Sequence, residues 1–512
     1  QFVLEERSRR KRDRSDLERR WKEIDRQVAM KPAREMIDDA DWLPQLEPPY
    51  QAEALEMLNA DARRLMFPSG QSYFLAHAAL DAQSTKNLNF DHFIGNKLTS
   101  TQQAIYALGP EEWADILVRR RIDAIHGRYD LRAQWDGLNA EAFKYGAFVG
   151  TIGMVDENVG IRAKKGRYPR LIPLSVKTTY LDDSPPRVAG EGLSVQGSPI
   201  REYWMELEDL KTASKAEGWL QGALEEIKAD RRGLVKLVQY DGDLFVPSAN
   251  GPGGTFIENV SITIADQSGP VCVRWRDHKY GFLPYITGTY HNDDVDTPYG
   301  VSPLVKGYPI QVAIAASLKW MMAAAALATL PPLGYEAGDY KAAGRKSLLR
   351  PNTTVELLGK ISQIITADPV AMSKIYAGLV EQYREMVGIM PTRMGAQTKS
   401  HQSAFAVDTE ATRGVVRTVD YVMATLEGPA RDLLHMEYAM ARTLGPEWVY
   451  VSEVSGFVEV SGDQLPERVE FEMTGAGTPQ EDRANDLKRI QAVQLMIQIE
   501  PERRQLGGKP LD

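Results

Sequence analysis

The sequence predicts an α+β fold in which helices and strands occupy separate stretches of the chain. Residues 48–147 carry mainly helical patterns, residues 155–290 are mostly strand-like, and two long helices are expected after residue 300. The 512 residues are enough for more than one domain. The single cysteine, Cys272, excludes an internal disulfide and indicates a reducing compartment.

The most informative stretch is Tyr299–Pro332, YGVSPLVKGYPIQVAIAASLKWMMAAAALATLPP. Val312–Leu330 is almost wholly apolar or small, and Pro309 and Pro331 bracket a predicted helix of about 28 Å. Alanines lie on all its sides and leave no polar stripe for solvent, so we expect either lipid or protein to enclose it. Lys319 at its centre costs about 2.5–3.5 kcal/mol on membrane-insertion scales, which favours protein.

The N-terminal residues 1–30 predict one charged helix with a basic run near its start, formed by Arg7, Arg9, Arg10, Lys11, Arg12 and Arg14. This run indicates either a solvated helix face or a docking surface for an acidic partner or nucleic acid, and the solvated face is favoured. The formal net charge of -9 argues against general polyanion binding, because such binding relies on Lys and Arg displacing counterions.

The strand-rich part begins where residues 145–155, YGAFVGTIGMV, change from a helical to a strand pattern. Alternating apolar residues then predict strands up to about residue 290, with one helical interruption at 215–229. The segment 331–368 is turn-rich and has short strand candidates at Thr354–Leu358 and Gln363–Thr366.

A second long helix is predicted over 369–390, since its apolar residues follow three-and-four spacing. Pro391 ends it, and 391–404 is expected to be an exposed polar loop. The remaining predicted elements are a helix at about 403–442 kinked at Gly428-Pro429, strands at Trp448–Val460 and Glu467–Met473, and a closing helix near Pro479.

No pattern for nucleophilic or acid–base catalysis emerges from the sequence. It has no Gly-x-Ser-x-Gly elbow, Cys/His pair or Walker lysine, and His126 and His435 lie on predicted helices where a structural role is favoured. The best oxygen-rich cluster is His291–Asp296, HNDDVD, but its spacing fits neither an EF-hand nor a zinc motif. A solvated acidic turn is favoured there, so we expect no enzyme, no cofactor and no metal.

The order of these elements resembles that of the portal (head-to-tail connector) proteins of tailed bacteriophages, most strongly those of short-tailed phages. The resemblance covers about residues 90–500. The segments that carry it are NAEAFKYGAFVGTIGMV, DTPYGVSPLVKGYPIQVAIAASLKWM, the Pro331-Pro332 boundary, IMPTRMGAQTKSHQSA and TEATRGVVRTVDYVMATLEGPARDLLHMEYAM. Portal proteins share a tyrosine-glycine turn opening a stem helix, a clip, a second stem helix, a tunnel loop and a long kinked helix.

The resemblance implies an assignment for each part of the chain. The wing would comprise 1–300, helical at first and β-rich from about 155, and would be completed by 446–475. The other implied parts are the stem helices 301–330 and 369–390, the clip 331–368, the tunnel loop 391–404, the long kinked helix 405–445 and the start of a crown at 476–512. The crown is then either short or truncated at Asp512.

The resemblance also implies a non-enzymatic homo-oligomeric ring, dodecameric by analogy, through which double-stranded DNA passes at one capsid vertex during packaging and ejection. The implied partners are the terminase large subunit, head–tail adaptor proteins, and the major capsid and scaffolding proteins, with no membrane. The implied locations are the virion and, during assembly, the host cytoplasm. An acidic chain suits such a conduit, because a basic tunnel would retain its DNA.

Three groups of residues are expected to carry this function, with contacts to DNA that are blind to base sequence. They are the DNA-facing Arg393, Gln397, Lys399 and His401 of the tunnel loop, Lys319 and Arg384 of the stem, and the partner-binding Arg345, Lys346 and Arg350 of the clip. For each basic residue, an ordinary ion pair at the surface or between subunits is as good an explanation as contact with DNA. Two rival functions stay open, a membrane pore that uses Val312–Leu330 and a metal-dependent nuclease built around His291–Asp296.

Overall fold

A computed structural model gives an α+β protein. It describes residues 1–32, 46–68, 72–79, 110–159, 164–182, 187–189, 193–195, 197–213, 218–247, 254–278, 280–291, 297–329, 333–336, 354–357, 369–389, 417–444, 447–451 and 456–474. The chain forms two compact units. The first unit is Gln1–Ala60, Ala133–Gly153 and Leu171–Arg417, and the second unit is Asp61–Arg132, Met154–Arg170 and Thr418–Asp512.

The described α-helices are α1 (Phe2–Asp13), α2 (Ser15–Val28), α3 (Tyr50–Met66), α4 (Pro110–His126), α5 (Leu131–Tyr145), α6 (Leu207–Ala213), α7 (Gln221–Leu224), α8 (Pro303–Thr329), α9 (Pro369–Val387) and α10 (Arg431–Arg442). Residues 417–425 are also helical, and one π-helical turn, Leu426–Ala430, joins them to α10. This turn contains Pro429, which has no N–H to donate, and it lies at the Gly428-Pro429 pair where the sequence predicts a kink.

The described strands are β1 (Phe74–Ala79), β2 (Ala147–Val159), β3 (Lys164–Leu174), β4 (Thr179–Tyr180), β5 (Arg187–Ala189), β6 (Leu193–Val195), β7 (Ile200–Glu206), β8 (Leu234–Pro247), β9 (Gly254–Ala265), β10 (Val271–Asp277), β11 (Tyr285–Thr289), β12 (Leu333–Glu336), β13 (Thr354–Leu357), β14 (Glu447–Val451), β15 (Gly456–Val460) and β16 (Arg468–Met473). The strand-rich character predicted for 155–290 is therefore confirmed for the residues described there.

The core of the first unit is a five-stranded antiparallel sheet in the order β10-β9-β8-β7-β4. Tyr240 of β8 lies opposite Ile200 of β7 and Ile262 of β9, and this row packs on Val3 of α1. Leu237 points to the opposite face, which is covered by Leu210 of α6 among others. Both faces are buried, which explains the high content of apolar residues in β8 and β9.

The N-terminal region differs from the single charged helix predicted over 1–30. It forms α1 and α2, which meet at Arg14, where φ is -98° and ψ is 10°. The Arg14 side chain is buried and donates hydrogen bonds to the carbonyls of Val176 and Thr179 at 2.9 and 2.7 Å. Arg10 is buried too, and it bonds the Ser198 carbonyl.

Arg7 completes the attachment of α1 to the sheet, because its guanidinium bonds Glu202 at 2.6 Å and Asp266 at 3.1 Å. Both predictions for the basic run, a solvated face and a docking surface, are therefore wrong for Arg7, Arg10 and Arg14. A spacing of three and four residues places Arg7 and Arg10 on the inner side of α1 and Arg14 just after its end, where they satisfy polar groups of the sheet and its loops.

Two other predicted elements need correction. The helix predicted over 215–229 is limited to α7, four residues long, because Gly218 adopts a φ of +91° and Trp219 forms a β-bridge with Arg274. The strand predicted over Trp448–Val460 is two antiparallel strands, β14 and β15. The strand predicted at Thr354–Leu358 is confirmed by β13, which pairs in parallel with β12. Three other predictions lie outside the described residues: the strand at Gln363–Thr366, the start of the 403–442 helix and the helix near Pro479.

Candidate functional site

The candidate functional site is the pair of long helices α8 and α9 in the first unit. α8 has 27 residues and a length of about 40 Å, and α9 has 19 residues. α8 begins at Pro303, before the predicted boundary at Pro309, which lies inside it. Ser302 explains the earlier start, because its hydroxyl accepts the N–H groups of Leu304 and Val305 at 3.0 and 3.1 Å.

The end of α9 also differs from its prediction over 369–390. The helix ends at Val387, since Gly388 adopts a φ of +86° and its N–H bonds the Arg384 carbonyl at 2.9 Å. The N–H of Ile389 bonds the same carbonyl at 2.7 Å. This left-handed glycine terminates the helix three residues before Pro391 could do so.

The two helices approach closely where Gly307 of α8 faces α9. A Cβ atom at this position would lie 2.8 Å from Cε2 of Tyr383 and 3.0 Å from Cγ2 of Val387. Tyr383 and Val387 are both buried. Gly307 therefore sets the separation of the pair at this point.

Polar contacts with residues 47–51 hold the N-terminal half of α8. The amide nitrogen of Gln311 donates to Glu47 Oε1 at 2.8 Å and to the Pro48 carbonyl at 2.9 Å, in a buried setting. Gln51 donates to the Leu304 carbonyl at 3.2 Å. These glutamines fix α8 along part of its length.

Tyrosines hold α9 in the same region. The hydroxyls of Tyr50 and Tyr376 lie 3.0 Å apart, and the Tyr383 hydroxyl donates to the Tyr50 carbonyl at 3.4 Å. Burial and the hydrogen bond with Tyr50 raise the pKa of Tyr376, so its hydroxyl stays protonated at neutral pH. The guanidinium of Arg384 lies 5.7 Å from the ring centre of Tyr50.

The pair leaves large apolar side chains uncovered away from these anchors. Trp320 of α8 is 59% exposed, and Val370 and Ile375 of α9 are each 60% exposed. Over Pro303–Ala326, α8 is long and apolar enough to cross a membrane by length and composition, and only 28% of its most apolar 18-residue window is buried. Among the residues that the structure describes, these side chains form apolar surface, and such surface is typical of a contact site.

The structure places only two of the predicted site residues. Lys319 is half-buried on α8 and interacts within the chain, and Arg384 contacts Tyr50 as described. The other predicted site residues lie outside the described residues, namely Arg393, Gln397, Lys399, His401, Arg345, Lys346 and Arg350. Most of the His291–Asp296 cluster does too, and no group of three or more potential metal ligands occurs within the described ranges.

A polar network in the second unit has no counterpart in the sequence-based predictions. Nδ1 of His126 lies 2.7 Å from the Tyr73 hydroxyl, and its Nε2 lies 2.6 Å from Oε2 of Glu437. Tyr129 donates to the other carboxylate oxygen of Glu437 at 2.6 Å. Glu437 is fully buried, so these donors satisfy a carboxylate cut off from water.

The arrangement is that of a structural network. Burial and the charge of Glu437 raise the pKa of Tyr73 well above its usual value, which keeps the hydroxyl as a neutral donor to His126. The ring of His435 packs edge-on against Phe471, with 5.0 Å between ring centres. No local sequence pattern indicates this network, because its members are separated by up to about 360 residues.

No protein-family model matches the chain, and no curated protein matches it.

Proposed function

We propose that the chain is a structural subunit of a portal-like ring that conducts double-stranded DNA through a capsid vertex. The observation that carries the proposal is the long apolar helix α8, only 28% of whose most apolar window is buried although it is paired with α9. Such a helix requires lipid or further protein around it. Copies of the same chain around a closed axis supply that protein through one repeated heterologous contact.

The small side chains of α8 support a protein cover. Alanines dominate residues 313–328, and small residues let neighbouring backbones approach closely. The exposed Trp320, Val370 and Ile375 then become contacts between neighbours instead of apolar surface in water. On this proposal α8 and α9 are the stem helices.

The order of elements gives further support. Two long helices flank a segment that contains the parallel strand pair β12–β13, and a later helix carries a π-turn at Gly428-Pro429. This is the order of stem, clip, stem and kinked helix in the portal family. We propose that the clip, with Arg345, Lys346 and Arg350, engages the terminase and then the adaptor proteins, and that the loop with Arg393, Gln397, Lys399 and His401 faces the DNA.

A membrane pore is the second candidate, because α8 meets the length and composition of a membrane span. Against it stand Lys319, which costs about 2.5–3.5 kcal/mol at the centre of a bilayer, and the polar anchoring of Gln311 to Glu47. Flotation with liposomes separates the two functions. A pore floats with the lipid, whereas a ring subunit stays in the lipid-free fraction. Light scattering of that fraction should then give a mass many times 57.2 kDa.

A further inference from the structure

A groove of about 1140 Å³ runs along α1 and α2 in the first unit. One face of the two helices lines it, together with Pro270 from the turn between β9 and β10. We call it the α1–α2 groove. The small side chains of Ser8 and Ser15 are part of its lining, so its surface leaves room for another chain segment.

The groove carries positive charge that the described residues neutralise only in part. Lys11, Arg12 and Lys22 line it and are exposed, and they have no ion pair or hydrogen-bond partner among the described residues. Arg19 adds a fourth cation, whose one ion pair within the described part of the chain is an exposed contact with Asp16 at 3.3 Å. These four cations lie on a chain with a formal net charge of -9.

The neighbouring arginines do not line the groove but hold α1 and α2 against the first unit. Arg7, Arg10 and Arg14 point inward to the sheet and its loops, so the basic run divides into an inner anchoring set and an outer set that faces the groove. The groove also contains Glu5 and Glu18. Glu18 is partly compensated, because Arg14 Nε donates to it at 2.9 Å.

We propose that the α1–α2 groove binds an acidic helical segment of a partner protein. The cations are spread along both helices, since Lys11 and Arg12 lie in the last turn of α1 and Lys22 lies on α2. Carboxylates spaced at three and four residues along one face of a partner helix would meet these cations in turn. The proposal does not rest on the ring, since one copy of the chain contains the whole lining of the groove.

The lining favours an acidic protein segment over nucleic acid. Glu5 and Glu18 repel a continuous phosphate backbone, whereas a protein helix can place neutral or basic side chains opposite them. The acidic chain as a whole also repels a long polyanion. Complementary charge at an exposed surface acts mainly on the association rate, so the binding should weaken as salt rises.

The test measures the fluorescence anisotropy of a labelled helical peptide with Glu along one face, titrated with the whole chain. We expect binding that the triple variant Lys11→Glu, Arg12→Glu and Lys22→Glu weakens by roughly tenfold or more. The matched control, Arg20→Glu, Lys31→Glu and Lys228→Glu, changes the net charge equally at exposed positions outside the groove and should change the affinity less than about twofold.

Three results would overturn the proposal: no binding to the unmodified chain, equal losses in the two triple variants, or tighter binding of a DNA duplex of matched charge. If the charge reversals impair folding, the alanine triple at Lys11, Arg12 and Lys22 replaces them and should still weaken the peptide. Light scattering of each variant, run in parallel, reports ring assembly separately, so failure of the groove and failure of the ring are distinguishable.

Discussion

The guanidinium carbon of Arg14 lies 3.8 Å from the ring centre of Tyr180, at the junction of α1 and α2. The same side chain donates to the carbonyls of Val176 and Thr179 and pairs with Glu18. It therefore satisfies backbone carbonyls of the first unit, and it fixes where the N-terminal helices rest on that unit.

Replacing Arg14 by Ala should destabilise the first unit by about 3–5 kcal/mol, because buried carbonyls lose their donor and Glu18 loses its partner. The midpoint of urea unfolding measures this loss. Arg12→Ala is the control, and it should stay within about 0.5 kcal/mol because the side chain is exposed. Equal effects of the two substitutions would contradict the anchoring role of Arg14.

Gly307→Ala should push α8 and α9 apart, because the new Cβ would lie 2.8 Å from Tyr383 and 3.0 Å from Val387. We expect a loss of roughly 1–3 kcal/mol, the usual cost of overpacking. Gly378→Ala within α9 is the matched control: no atom lies within 4 Å of its Cβ position, so it should stabilise the helix by up to ~1 kcal/mol. Thermal melting of both variants should move in opposite directions, and a shift of both upward would exclude close packing at Gly307.

Trp320→Arg combined with Ile375→Arg should abolish assembly while leaving the melting temperature of the subunit nearly unchanged, because both side chains are already exposed in one copy. Size-exclusion chromatography with light scattering gives the mass. Trp204→Arg, at another exposed tryptophan of the first unit, should leave the mass as it is. A double variant that keeps the full assembled mass would show that this face is not between neighbours.

Asp432 should make the stability of the second unit depend on pH. Burial raises its pKa to about 6, although Arg431 acts in the opposite direction. The folded pKa exceeds the unfolded value, so the protonated form is favoured in the fold, and stability falls as pH rises from about 4 to about 6. Asp432→Asn should therefore stabilise the protein by roughly 2–3 kcal/mol at pH 8 and by almost nothing at pH 4, as thermal melting at the two pH values would measure. An equal gain at both pH values would contradict the assignment.

Local patterns in the sequence were enough to predict several elements. Three-and-four spacing predicted α9, the Gly428-Pro429 pair marked the position of the π-turn, and the strand candidate at Thr354–Leu358 corresponds to β13. Each depends on side chains close together in sequence, where periodicity and backbone geometry dominate.

Other features depend on partners distant in sequence and could not be predicted this way. Nothing local to Arg14 breaks a helix, since the break follows from carbonyls about 160 residues away. The pairing of β1 with β16 and the His126–Glu437 contact span still longer separations. The start of α8 at Pro303, in contrast, has a local cause, because Ser302 caps the helix and proline fits its first turn.

The most direct test of the central claim is electron microscopy of the purified chain, with the mass determined in parallel. We predict rings with a central hole and a mass many times 57.2 kDa, in which neighbouring copies cover α8 and α9. A chain that remains monomeric and open, even in the presence of capsid components, would contradict the proposal.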